Sequence, residues 1–69
     1  MYLMKIKGSG KIPVYLQIRD DNFTLIAYFR ADRITQGLEN NNMEEYDSLI
    51  SACVDNMDFG NMKYIENIK

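Results

Sequence analysis

Few side chains of this 69-residue chain have the chemistry that catalysis or metal binding usually requires. The sequence has no histidine, which excludes histidine-based metal sites and mechanisms with a histidine general base. Its single cysteine, Cys53, lies at helical spacing among apolar residues and has no such base to activate it. We therefore interpret Cys53 as a small buried hydrophobe, and we expect no cofactor, no metal and no disulfide.

Tyrosines and arginines are the side chains most suited to binding a partner. Tyr15 and Tyr28 fall in one row across neighbouring predicted strands, with Ile26 beside them and with Arg19 and Arg30 on the same face. Tyrosines flanked by arginines can stack on nucleic-acid bases, which contributes about 1–3 kcal/mol per base. Two alternatives are cross-strand pairing, at about 0.2–1 kcal/mol per pair, and burial of this face against another part of a larger protein.

The segment 12–32 predicts the hairpin that would position these side chains. Two runs with alternating apolar residues are joined by Asp21-Asn22, and a two-residue turn there places four apolar pairs on one inner face. These pairs are Ile18 with Leu25, Leu16 with Ala27, Val14 with Phe29, and Ile12 with Ala31.

Residues 2–7 predict an earlier strand, followed by a turn at residues 8–10. A three-residue loop with Gly10 in the left-handed conformation would pair Ile6 with Ile12 and so place Tyr2, Met4 and Ile6 on the inner face. Leu3 and Lys5 would then lie on the outer face with the two tyrosines. The three strands form an antiparallel meander.

The second half of the chain predicts one helix. Residues 33–42 have the composition of a loop, Asn42 with Glu45 resembles a capping box, and a helix over 43–57 would carry an apolar stripe. The stripe consists of Tyr46, Leu49, Ile50, Cys53 and Met57. For residues 61–69, spacing alone fits a strand or a helix. We therefore predict a single α+β domain over 1–69: a three-stranded antiparallel meander packed by one helix, with a short C-terminal element that is a helix start or an edge strand.

The net charge of −2 divides unequally along the chain. Residues 1–33 carry six basic and three acidic side chains, whereas residues 34–69 carry two basic and seven acidic ones. This asymmetry is either ordinary solvated surface or a basic sheet and an acidic helix that face different partners. No segment has the length and apolar character of a membrane span, and no signal peptide is visible, so we expect a soluble chain, whether whole or a fragment, of undetermined compartment.

Three segments together resemble a known family. The segment 14–28, VYLQIRDDNFTLIAY, is followed by YDSL at 46–49 and by FGN at 59–61. The first is similar to the strand pair of ribosome-inactivating proteins, the rRNA N-glycosylases. The others resemble that family's Tyr-Asp-x-Leu helix start and the Leu-Gly segment that opens its next helix. The resemblance spans most of the chain and favours a truncated helix for the tail.

The resemblance implies that Tyr46 corresponds to one of the two tyrosines that sandwich the target adenine and that Asn22 lines the pocket. The other tyrosine falls at Thr24, and the family's catalytic glutamate and arginine lie beyond Lys69, so they have no counterpart here. Because expelling adenine requires preorganised groups that stabilise developing charge, we expect no independent catalysis. The alternatives are that Tyr46 belongs to the core and that Asn22 serves the turn.

These observations lead to three function hypotheses. The first is a partial or degenerate N-glycosylase lobe, whose partner is the ribosome, its rRNA or a complementary chain, and which is prone to self-association. The second is a small acidic non-enzymatic protein, such as a phage or mobile-element inhibitor of one host protein, which would use Glu44, Asp47 and Asp55 or the open sheet face. The third is a protein that binds single-stranded nucleic acid through the outer sheet face with Tyr15 and Tyr28. The net acidity of the chain argues against this third hypothesis.

Overall fold

A computed structural model describes residues 1–66 and confirms the α+β class. Strands β1 (Tyr2–Ile6), β2 (Tyr15–Arg19) and β3 (Leu25–Arg30) are followed by a 3₁₀ turn and helix α1 (Ile34–Asn40). A second 3₁₀ turn (Glu44–Tyr46) leads into helix α2 (Asp47–Val54), and strand β4 (Met62–Tyr64) follows. The strands form one antiparallel sheet in the order β3-β2-β1-β4. No helix within residues 1–66 is long and apolar enough to cross a membrane.

The C-terminal element is the edge strand, so the sheet has four strands where the sequence predicted a meander of three. Tyr64 pairs with Tyr2 and Met62 with Met4, which extends the sheet beyond β1. The truncated helix that the family resemblance favoured is wrong over 62–64. Ile68, which fitted both patterns, lies outside the described residues.

The first hairpin turns later than predicted, and this reverses the two faces of β1. Ser9 and Ile12 exchange both backbone hydrogen bonds, at 3.1 and 2.9 Å, around a two-residue turn in which Gly10 has φ +57°. Leu3 consequently pairs with Ile18, three residues away from the predicted register. Because side chains alternate along a strand, an odd shift exchanges the faces, so Leu3 is 1% exposed in the core and Tyr2 lies on the outer face.

The second hairpin has a longer turn than the predicted Asp21-Asn22 pair. The Asp20 carboxylate accepts hydrogen bonds from the backbone N–H groups of Asn22 and Thr24, both at 2.9 Å, and Phe23 rather than Asn22 has the positive φ, +66°. This is an Asx turn. A bulge follows, so that Ile18 pairs with Ala27 instead of the exposed Leu25.

Farther from this turn, the pairing of β2 with β3 differs from the predicted register by two residues. An even shift keeps each side chain on its predicted face of the sheet. Leu16 pairs with Phe29, and both side chains lie in the core as expected. Ile12, predicted to pair with Ala31 on this face, is instead 63% exposed in the first hairpin.

Helix α1 occupies the segment predicted to be a loop. Leu38 anchors it, because its side chain is fully buried between the sheet and α2. The helix ends in a Schellman motif: the N–H of Asn42 donates to Glu39 O at 3.2 Å, and the N–H of Met43 donates to Leu38 O at 2.9 Å. Asn42, with φ +58°, therefore ends a helix instead of capping the start of one.

Helix α2 is shorter than the predicted 43–57, and its buried face closes the core. Ile50 is fully buried and Val54 is 7% exposed, whereas Leu49 of the predicted stripe is 40% exposed. Cys53 and Met57 are half-buried against the core. One hydrophobic cluster joins the inner sheet face to both helices: Met1, Leu3, Leu16, Ile18, Ala27, Phe29, Leu38, Tyr46, Ile50, Val54 and Ile65.

Candidate functional site

The outer face of the sheet has no helix packed on it, because the buried side chains of both helices join the cluster on the inner face. We call this surface the open face. Its members are the strand residues that point away from the core, together with Phe23 from the β2–β3 turn. They are Tyr2, Met4, Ile6, Tyr15, Gln17, Arg19, Phe23, Ile26, Tyr28, Arg30, Met62 and Tyr64.

Aromatic rings form two groups on the open face. In the first, Tyr2 stacks on Phe23 with ring centroids 4.6 Å apart and an interplanar angle of 11°, and Tyr64 meets Tyr2 edge-on at 5.1 Å. In the second, Tyr15 stacks on Tyr28 at 4.9 Å and 16°. The side chains of Phe23, Tyr28 and Tyr64 are each about half exposed, at 49%, 51% and 51%. Each group therefore offers ring surface to a partner.

The two layers of the molecule carry opposite charge. The four strands contain four basic residues and no acidic one: Lys5, Arg19, Arg30 and Lys63. The helices and 3₁₀ turns within residues 1–66 contain five acidic residues and one basic one: Asp32, Arg33, Glu39, Glu44, Glu45 and Asp47. Of these four basic residues, only Arg19 and Arg30 lie on the outer face of the sheet.

Both predicted arginines belong to the open face, and each has a local partner. Arg19 donates to the carbonyl oxygen of Phe23 at 2.9 Å. Arg30 donates to both carboxylate oxygens of Asp32, at 3.1 and 2.8 Å, and these hydrogen bonds lower the pKa of Asp32. The geometry is the bidentate one that guanidinium groups use for carboxylate and phosphate.

Lys5 is not on the outer face, where the predicted register placed it. Its Nζ donates to the carbonyl oxygen of Val54 at 3.2 Å, and it lies 5.0 Å from the centre of the Phe59 ring. Lys5 thus stabilises the carboxyl end of α2, where the helix dipole favours a cation.

The N-terminal ammonium of this chain joins the ends of three strands near the first aromatic group. It donates to Asp21 Oδ1 at 2.7 Å and to the carbonyl oxygen of Ile65 at 2.8 Å, while the Tyr64 hydroxyl donates to Asp21 Oδ2 at 3.4 Å. The ammonium hydrogen bond lowers the pKa of Asp21. These contacts hold β4 and the β2–β3 turn together beside Tyr2.

A cavity of about 270 Å³ lies where the open face meets α1, and we call it the edge pocket. Two arginines, two side-chain amides and one tyrosine hydroxyl group belong to its lining residues. The lining consists of Tyr15, Phe29, Arg30, Arg33, Gln36, Gly37 and Asn40. The sequence does not reveal this pocket, because the composition of residues 33–42 predicts a loop where the structure has α1.

The two residues predicted to hold adenine lie in different environments. Tyr46 is 8% exposed in the core, whereas Asn22 is exposed in the β2–β3 turn. Tyr46 therefore lies in the core and Asn22 in the turn, which are the positions that the two alternatives gave them. Part of the acidic helix is engaged internally, because the Asp47 carboxylate accepts hydrogen bonds from Thr35 at 2.7 Å and Ser51 at 3.1 Å.

Residues 1–66 contain no group of three or more histidine, cysteine, aspartate or glutamate side chains that could hold a metal ion. Comparisons with family models, curated proteins and solved structures found no match to this chain. The resemblance to rRNA N-glycosylases stays a prediction.

Proposed function

We propose that this chain is a non-enzymatic protein that binds single-stranded nucleic acid through its open face. The supporting observation is the coincidence, on one uncovered sheet face, of exposed stacked aromatic rings with arginines and no acidic strand residue. Sheets that bind single strands use aromatic side chains as platforms for bases and cations for the backbone.

The spacing of the two aromatic groups suits a strand that contacts both. Tyr28 lies two residues along the sheet and two strands across from Tyr2 in the observed register. Strand geometry converts this offset into a separation of about 12 Å. Two bases stacked at about 1–3 kcal/mol each give roughly 2–6 kcal/mol. A dissociation constant of about 1 μM would require a binding free energy of about 8 kcal/mol, so we expect dissociation constants above this value.

The net acidity of the chain argues against nucleic-acid binding, but the acidic residues are not on the open face. The net charge of −2 arises from acidic residues outside the strands, whereas the strand residues of the open face include two arginines and no carboxylate. Arg30 is already paired with the Asp32 carboxylate, so Arg19 is the cation of the open face that we expect to neutralise a phosphate. Log K should then fall with log salt concentration with a slope of about −0.7.

The direct test is fluorescence anisotropy of a labelled oligouridine at low salt with the 69-residue chain. We expect Tyr28→Ala and Tyr2→Ala to weaken binding by about 5- to 150-fold each, the equivalent of 1–3 kcal/mol. Leu49→Ala is the matched control, because Leu49 is an exposed apolar residue on α2. Absence of binding, insensitivity to salt, or an equal loss in the Leu49→Ala control would refute the proposal.

A second proposal is that the open face binds one host protein, as an inhibitor would. Its composition supports this: the face contains tyrosines, methionines and arginines but no lysine, aspartate or glutamate, a pattern typical of protein interface cores. Capture from a nuclease-treated cell extract separates the two proposals. One protein retained at fixed stoichiometry and lost on Tyr28→Ala would favour the inhibitor, whereas loss of all capture on nuclease treatment would oppose it.

The N-glycosylase lobe is supported only by the sequence resemblance. Tyr46 would have to leave the core to stack on adenine, since only 8% of it is exposed. Binding to rRNA through the open face is the part of that hypothesis that the anisotropy experiment also tests.

A further inference from the structure

We propose that the edge pocket binds the phosphate of a nucleotide whose base stacks on the Tyr15–Tyr28 pair. This inference deepens the proposed function, because it assigns a subsite to one end of the same open face. The ligand class is a nucleoside phosphate, which is supplied either as a free mononucleotide or as one unit of a strand.

The size of the edge pocket suits part of a nucleotide. Its volume of about 270 Å³ lies just below the range of about 300–1,000 Å³ that is typical of pockets that enclose a drug-sized ligand. A phosphate can therefore occupy it while the attached base remains outside. Phe29 and Gly37 contribute to the lining. Gly37 leaves room for the Phe29 ring, because a Cβ at position 37 would lie 2.3 Å from Phe29 Cγ.

The polar lining of the edge pocket matches an anion. The Arg33 guanidinium makes no hydrogen bond or ion pair with any residue of the described segment 1–66, although its charge helps Arg30 to lower the pKa of Asp32. Its N–H groups are therefore available to a ligand. Gln36 and Asn40 stand four residues apart on α1, which places their amides on the same side of the helix. No carboxylate lines the pocket, and the nearby Asp32 is held by Arg30. Guanidinium and amide N–H groups are suitable donors to phosphate oxygens.

Tyr15 connects the edge pocket with the aromatic platform. It lines the pocket and also stacks on Tyr28 at 4.9 Å, and the Tyr28 side chain is 51% exposed on the open face. A phosphate at Arg33 and a base at Tyr28 are therefore neighbouring positions. The sites for charge and for stacking therefore adjoin at this end of the open face.

The experiment compares adenosine with adenosine 5′-monophosphate by NMR titration of the 69-residue chain. We expect the monophosphate to bind about 10- to 100-fold more tightly than the nucleoside, as charge-assisted hydrogen bonds would provide. Arg33→Gln should remove this difference and leave adenosine binding unchanged, whereas Tyr28→Ala should weaken both ligands. Lys63→Gln is the matched control, because Lys63 is an exposed cation on β4 that does not belong to the open face.

The outcomes distinguish this inference from the proposed function. Equal affinity for the nucleoside and the monophosphate, or an unchanged difference in Arg33→Gln, would overturn the pocket assignment even if oligouridine binds. Monophosphate binding that depends on Arg33, without oligouridine binding, would support the pocket for a free nucleotide and refute single-strand binding. Competition by inorganic phosphate with the monophosphate but not with adenosine would support the assignment. Circular dichroism of each variant checks that it is folded.

Discussion

Replacing Gly37 with alanine should destabilise the domain, although alanine is the better helix former. In α1 the exchange should gain about 1 kcal/mol from helix propensity. The new Cβ, however, would lie 2.3 Å from Phe29 Cγ, 2.5 Å from Cδ1 and 2.7 Å from Cδ2. Overpacking of a core costs about 1–3 kcal/mol.

The position of the contact on the Phe29 ring decides which effect is larger. Cγ is the ring atom nearest the backbone, so the ring cannot avoid the methyl group by a small rotation, and β3 or α1 has to move. The cost should therefore lie at the upper end of the overpacking range, which leaves a net loss of about 1–2 kcal/mol. For a domain of this size, 1 kcal/mol corresponds to about 4–8 °C in Tm.

Urea denaturation followed by circular dichroism measures this loss. We expect Gly37→Ala to lower the midpoint with an unchanged slope, and Phe29→Leu in the same chain to recover part of the loss as a coupling energy of at least about 0.5 kcal/mol. Gln36→Ala, at an exposed position of the same helix, is the control and should not destabilise. A Gly37→Ala chain as stable as the wild type would show that α1 does not pack against Phe29 as described.

Three further predictions concern contacts that hold the sheet and helices together. Lys5→Met should lower the free energy of unfolding by about 0.3–1 kcal/mol, because the carbonyl of Val54 loses its cation; urea denaturation measures this. Asn42→Ala should destabilise by about 1–2 kcal/mol and Asn42→Gly should not, because only alanine is strained at φ +58°; equal effects would contradict the left-handed helix end. For Asp21, whose folded pKa is lowered by the Met1 ammonium, the stabilisation is present above the ordinary pKa of 3.8 and is lost as pH falls through the folded value. The stability difference between wild type and Asp21→Asn should therefore be largest near neutral pH and vanish in acid; a difference independent of pH would count against the ion pair.

Part of the sequence signal was present but assigned to the wrong element. Asn42, together with Glu45, predicts the start of a helix, yet an asparagine is also the common substitute for glycine at a left-handed helix end. In this fold Asn42 has φ +58° and ends α1. The spacing of Ile34 and Leu38 indicated that helix, but a seven-residue segment with a central glycine has too little intrinsic helix propensity to be recognised alone.

The sequence by itself determined the α+β class, the strand alternation of β2 and β3, and the exposure of Tyr28 on their outer face. These features survived a two-residue error in register, because a period of two keeps Leu16 and Ile18 on the same face after an even shift. Local patterns of apolar residues are sufficient for such features.

Only the tertiary structure decided the face of β1, the fourth strand and the edge pocket. The first turn can form at more than one position around Gly10. The predicted and observed registers differ by an odd number of residues, so they place opposite faces of β1 in the core, and burial of Leu3 against Ile18 selects the observed one. Strand β4 pairs with β1 across some 60 residues, supported by the hydrogen bonds of Met1 with Ile65. Contacts between residues so distant in the chain leave no period in the local sequence, so only the assembled core selects them.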